Sequence, residues 1–309
     1  MNRLVHSDVG FWRSLQISNA QFFAFVEGGL DRPFVDRVAG HALSGSNVVH
    51  RVVASKELPG GTGGKVSLLS LFKEMRRMRR LDCVSFGKRM VSLFFADKDV
   101  DDVRNSRLKS PHVVYTSTYD LEGHLFDCGD LTRAIADACG VTFDQAAAAL
   151  GSQKHWVAER VANWKEWMIL CIISQTRQVN CGCTFARPSD INADFFQPTD
   201  IVALNIYKAK LQVVLGLSSG DFDRVYSAIE SKVNRSIAAR EPLRFFKGKW
   251  LKALLERHLS TNLLAPDVIR NGIGDRVAST LVAQVGVTAG CACCAPFQTA
   301  IAQLTAKLS

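Results

Sequence analysis

The residue types in this chain that could do chemistry are acidic, and they stand where apolar runs stop. Glu27 ends the run at residues 21–27 and is followed by Gly28-Gly29. Asp97-Lys98-Asp99 follows the run at 89–96, and Glu122 lies in Tyr119-Asp120-Leu121-Glu122, just after the run at 113–117. In an open parallel sheet the carboxyl ends of the strands line one crevice, and ligands bind there. Acidic groups delivered to one crevice repel each other unless cations sit between them. A hydrated Mg²⁺ ion, completing its octahedron with waters and phosphate oxygens, satisfies such a set. The D-x-D spacing matters because alternate residues of an extended segment point the same way, so Asp97 and Asp99 can share one ion. Taken singly, each of these acids is equally well read as a polar turn residue.

Other cation and phosphate motifs fail on their required positions. An EF-hand loop starting at Asp97 would need Gly where Asp102 stands and Glu where Leu108 stands. A Walker A loop ending at Lys65 would need Gly at Pro59 and Ser or Thr at Val66. The chain is therefore not expected to bind ATP through a P-loop of its own. Of the nine cysteines, Cys181-Gly182-Cys183 and Cys291-Ala292-Cys293-Cys294 are spaced C-x-C and C-x-C-C rather than as paired C-x-x-C knuckles. Reduced thiols are expected. No G-x-S-x-G motif appears, and a lone histidine such as His124, near the acidic residues, is more often structural than catalytic.

The elements that must position the acids alternate in type. Residues 21–27, 47–54, 89–96 and 113–117 are rich in Val and Phe, and read as strands buried on both faces. A helix starting near Asp31-Arg32-Pro33 and a second at 66–80 separate them, the second preceded by a glycine-rich loop at 59–64. This alternation predicts an α/β fold with a mostly parallel sheet flanked by helices. Beyond Phe126 the period is helical at 131–138, 142–150, 154–173, 201–214, 221–238, 245–259 and 295–308. Two domains follow: residues 1–127 carrying the sheet, and 128–309, mainly helical, for packing, dimerisation or partner binding. A chain ending near residue 126 is accordingly expected to lose association and retain the sheet.

The 309 residues are 47% hydrophobic, enough for a sizeable core, which excludes a wholly disordered chain. The formal charge of +9 favours a polyanionic partner, nucleic acid first. No apolar run approaches the roughly 18 residues that span a bilayer. The first eight residues lack the apolar stretch of a signal peptide, and a cytoplasmic protein without membrane association is expected.

The segment Phe25-Val26-Glu27-Gly28 with Asp31, followed by Phe94-Phe95-Ala96-Asp97-Lys98-Asp99, resembles a Toprim domain. Tyr119-Asp120-Leu121-Glu122 and Phe246-Lys247-Gly248-Lys249-Trp250 narrow the likeness. They resemble the Toprim-like nuclease subunit of the PARIS anti-phage defence system, with overcoming-lysogenization-defect nucleases as more distant relatives. The likeness covers residues 21–122 well and the helical half thinly. After the glutamate of the last motif the family commonly has Asn-Tyr, where this chain has Gly123-His124. The resemblance implies Glu27, Asp97 and Asp99 as catalytic groups, with Asp97 and Asp99 holding Mg²⁺ (Mn²⁺ as a substitute). It implies Glu27, Asp31 and Glu122 as further metal ligands. The implied activity is phosphodiester hydrolysis by a toxic effector, restrained by an ABC-type ATPase and dimeric once released. The implied target is RNA, transfer RNA included.

Lys65 and Lys249 are candidate phosphate contacts, with a solvated surface role the stronger reading for each. Lys73, Arg76, Arg77, Arg79 and Arg80 crowd one helix, and Arg76 and Arg80, four apart, share a face. A phosphate-backbone track and a face for solvent or an acidic partner are equally good readings there. Trp156, Trp164 and Trp167 form a helical stripe better explained by core packing than by base stacking, with a dimer or ATPase interface as the reading between the two. Two other classes of function compete with the nuclease. One is a non-catalytic nucleic-acid- or partner-binding subunit of the same kind of complex, disfavoured by the complete Glu27/Asp97/Asp99 set. The other is a primase or topoisomerase fragment, disfavoured by the absence of a zinc-knuckle segment.

Overall fold

The computed structural model describes residues 7–60, 63–185, 200–263, 272–285 and 293–308. Gly61 and Thr62 of the glycine-rich loop, and Cys291, lie outside them. Contacts divide the chain into two units: Met1–Asp97 with Leu108–Thr116 and Val282–Ser309, and Lys98–Arg107 with Ser117–Leu281. This division differs from a boundary at residue 127. The end of the chain belongs with the sheet, and short pieces after the third and fourth anticipated strands belong with the helices.

The first unit opens with α1 (Asp8–Ile17), capped by the Ser7 side chain, which accepts the Gly10 N–H. There follow β1 (Phe22–Val26), α2 (Asp31–Ala42), β2 (His50–Ala54), α3 (Gly64–Arg77), β3 (Asp82–Ser85) and β4 (Lys88–Ala96). The sheet runs β2-β1-β4-β3, and β5 (Val113–Tyr115) also pairs with β4. β1 lies parallel between β2 and β4, and β5 is parallel to β4. β3 is antiparallel, joined to β4 by a tight turn in which Phe86 and Gly87 both have positive φ, 49° and 73°. That pair of dihedrals suits a two-residue hairpin. The sheet is therefore mixed, though its central strands are parallel as anticipated.

β1 and the last seven residues of β4 are buried on both faces. On one face Phe25 stacks on Phe94 (4.8 Å between centroids), and Phe72 of α3 meets Phe94 edge-on at 5.4 Å. On the other, Phe297 touches Phe34 of α2 at 5.6 Å and Phe95 at 5.7 Å. Phe297 belongs to α13 (Ala295–Thr305), which packs on α2, β4 and β5. The C-terminal helix thus covers the part of this face that α2 leaves open at β4 and β5, so a chain ending near residue 126 would lack that cover.

α3 stops at Arg77, short of the expected 80. Arg79 takes the left-handed conformation (φ 56°), its N–H donates to Arg76 O, and the Arg80 N–H donates to Met75 O at 2.8 Å. This reciprocal pair is a Schellman stop with arginine where glycine is usual.

The second unit is helical. It holds α4 (Asp101–Arg104), α5 (Leu121–Cys128), α6 (Leu131–Cys139), α7 (Phe143–Leu150), α8 (Gln153–Arg177), α9 (Ile201–Leu215), α10 (Ser219–Ala238) and α11 (Gly248–Asn262). The unit boundary falls within α12 (Ile273–Gln284). α8 is its axis, contacted by α9, α10 and α11. Trp164 and Trp167 are wholly buried and Trp156 nearly so, which settles the tryptophan stripe as core. Among the described residues no single helix is long and apolar enough to cross a membrane. Seven described cysteines are free thiols; Cys293 is disulfide-bonded, against the expectation of reduced cysteines throughout.

Candidate functional site

In the first unit, the parallel register aligns Val26 with Ala54 on one side and with Phe95 on the other. Glu27, Ser55 and Asp97 therefore leave the sheet at its carboxyl edge. Glu27 Oε1 accepts the Asp97 backbone N–H at 2.8 Å. Asp31, in the first turn of α2, reaches back so that its Oδ2 accepts the Gly28 N–H at 2.5 Å. A Cβ on Gly28 would stand 3.1 Å from that oxygen, so glycine leaves room for the carboxylate.

Ser55 is a residue the sequence reading passed over. It is fully buried; its hydroxyl donates to Glu27 O and accepts the Gly64 N–H at 2.7 Å. It thereby ties the ends of β1 and β2 to the start of α3. The available signal was its place directly after a strand and before the glycine-rich loop. The same tie brings in Lys65, whose Nζ donates to the Asp97 carbonyl and lies 5.6 Å from the Tyr115 ring centroid. Lys65 is thus built into the edge beside Glu27 and Asp97. Glycine at 63 and 64, both at positive φ, lets the chain turn into α3 there.

Asp99, Glu122 and Lys249 fall in the second unit. Asp99 is left-handed (φ 48°) and its N–H donates to Tyr119 O at 2.8 Å. The extended segment ends with β4 at Ala96, so strand alternation does not orient Asp99 relative to Asp97. Glu122 is 5% exposed and lies 3.4 Å from Lys252 Nζ, which also reaches Asp275 at 2.7 Å. The cation beside Glu122 is thus a lysine.

Between them stands a carboxylate with another task. Asp120 Oδ1 accepts N–H groups from Gly123 and Gly248, each at 2.9 Å, so one side chain caps the first turns of both α5 and α11. Burial, then the neighbouring Glu122 charge, pushes its carboxyl above the usual range, opposed by those N–H donors. A Cβ on Gly248 would fall 1.9 Å from Gly123 N, which explains the glycine in Phe246-Lys247-Gly248-Lys249-Trp250. Lys249 enters this joint through its backbone, its N–H 3.4 Å from Asp120 Oδ2, and its side chain is exposed. The motif reads as a helix-docking device. His124 is entirely buried and desolvation lowers it to about 4, so it stays neutral near pH 7.

The basic helix also resolves residue by residue. Arg76 is exposed within α3, whereas Arg80 lies past the Schellman stop with its guanidinium 4.3 Å from the Trp12 ring centroid. The two do not share a helix face, because the helix ends between them.

The sequence matches no protein-family model and no curated protein.

Proposed function

We propose that this chain is a Mg²⁺-dependent nuclease of the Toprim kind, the toxic effector of a bacterial anti-phage complex, with RNA such as transfer RNA as target and an ABC-type ATPase as restraining partner. The observation that carries the reading is the contact of Glu27 with the Asp97 main chain at the carboxyl edge of adjacent parallel strands, with Lys65 alongside. The donor set fits a hard cation: carboxylate oxygens are what Mg²⁺ and Mn²⁺ prefer. Glu27, Asp31 and Asp97 would hold the ion in the first unit, with Asp99 and Glu122 the further candidates. A bound ion there supplies activation of water and neutralisation of phosphate charge. The chain's own part is to place Glu27 by its hydrogen bond, to bring a lysine to the same edge, and to set Asp31 in the first turn of α2.

The test is cleavage of labelled transfer RNA with and without Mg²⁺. Glu27→Gln can still accept the Asp97 N–H but loses its charge, and Asp97→Asn is likewise nearly isosteric. Each is expected to lower cleavage by roughly a hundredfold or more with the melting temperature little changed. Undiminished cleavage in both variants overturns the reading.

The Glu122–Lys252 pair favours a second reading, a subunit that binds nucleic acid or its partner without cutting. On that reading transfer RNA is bound but left whole by wild type and by Glu27→Gln alike.

A further inference from the structure

The helical unit carries a pair of charged cavities for which the nuclease reading has no use. Its hub is Asp102 in α4. Arg107 pairs with this carboxylate, Arg244 Nη2 lies 3.5 Å from it and Lys98 Nζ lies 3.9 Å from it. Arg244 Nη1 also lies 3.5 Å from Glu241 Oε2, so two carboxylates stand against these three cations, and Lys98 is only 3% exposed, where water screens charge poorly.

Around this cluster opens a cavity of about 360 Å³, whose wall also includes Ser117, Thr118, Asp127 and Glu241. A second cavity, of about 400 Å³, shares Asp102, Glu241 and Arg244 with it. Lys232 and Arg235 of α10 add two more cations there, beside the apolar surface of Val103, Ala239 and Phe245. Across both cavities five cationic side chains face three acidic ones. Arg244 stands on the shared wall, and its Nε is buried without a hydrogen-bond partner among the described residues. A buried donor of this kind is costly to leave unmet, and an incoming oxyanion is the acceptor that fits a guanidinium best.

We infer that the joined cavities are a binding site for a phosphate monoester of nucleotide size. The dianion lies among Lys232, Arg235 and Arg244, which carry the excess, and the organic part rests along Val103, Ala239 and Phe245. A dianion is called for because the excess is more than one charge, and guanidinium groups match phosphate oxygens in pairs. The volumes are those of ordinary small-molecule sites. None of these residues is among those proposed to hold metal, so the site stands independently of the nuclease reading.

Adenosine monophosphate is the probe, titrated calorimetrically into the whole chain without divalent metal, with adenosine and inorganic phosphate as controls. Adenosine monophosphate is expected to bind roughly tenfold or more tightly than adenosine, and less tightly as salt rises. Arg244→Gln is expected to weaken it by a similar factor. Arg235→Gln, at an exposed position that cannot unfold the helix, should weaken it by a smaller factor, with unchanged circular dichroism in both. Equal binding to wild type and both variants, or no binding at all, overturns the site. Inorganic phosphate binding as tightly as the nucleotide overturns the assignment of size. An RNA oligonucleotide without terminal phosphate that binds through Arg244 and Arg235, while the nucleotide gives no heat, replaces the proposal with a nucleic-acid track. Because cleavage is not read, a failed nuclease reading leaves this result standing.

Discussion

His124 shows how burial decides what a titratable residue can do. Its folded value near 4 lies below the ordinary value near 6.5, because desolvation disfavours the charged ring. The unfolded chain therefore binds a proton over that interval and the folded chain does not. Stability rises as pH climbs from about 4 to about 6.5, and is level above. The contribution lost at the acid end is up to about 3 kcal/mol. Urea denaturation at pH 4.5 and 7 checks it: the difference between the two pH values should shrink in His124→Gln, and an unchanged difference would place the acid sensitivity elsewhere. The same contrast of surroundings separates the acids. Glu27 receives a backbone N–H at a strand end, Glu122 a lysine inside a helical joint, and Asp120 two helix starts. All three precede or follow apolar residues in similar ways, so the sequence marked the acids but could not assign their partners, which come from residues 97, 252 and 248.

At the scale of elements, the end of α3 changes the meaning of the basic cluster. Arg76 is an exposed helical residue and Arg80 is stacked on Trp12, so the two should respond differently to loss of charge. Arg76→Gln is expected to leave stability within about half a kcal/mol. If α3 tracks phosphates, it also lowers the slope of log K against log salt by about 0.7 to 0.9. Arg80→Gln is expected to cost about 0.5 to 1 kcal/mol through the lost contact with the indole, with no change in slope. Equal behaviour of the two in melting and in salt titration would contradict the split. The elements that were legible were long and strongly patterned, such as β1, β4 and α8. β3 was not: its four residues, Asp82-Cys83-Val84-Ser85, carry no apolar run and depend on a two-residue turn through Phe86. α5 was missed because Leu121–Cys128 is buried on nearly every side around Gly123 and His124, leaving no amphipathic period to read.

For the whole chain, the α/β class and the helical half followed from composition and period, whereas the return of α13 to the sheet did not. Nothing local in residues 295–305 specifies that Phe297 will meet Phe34 and Phe95; only long-range packing does. The consequence is testable. A chain truncated after residue 126 lacks the helix that packs on α2, β4 and β5, and burying an aromatic side chain contributes about 1.5–3 kcal/mol. Such a chain is expected to melt without a cooperative transition by calorimetry. Joining residues 293–308 to it through a flexible linker should restore one, and a sharp transition in the truncated chain alone would contradict the role given to α13.

That late cover has a bearing on when the carboxylate edge exists at all. Glu27 leaves the ribosome early, Asp97 later, and Phe297 later still, so a nascent chain carries the acidic residues long before the layer that fixes their strands is made. A chain whose translation stops before residue 295 therefore carries these acids without the helix that packs on α2, β4 and β5.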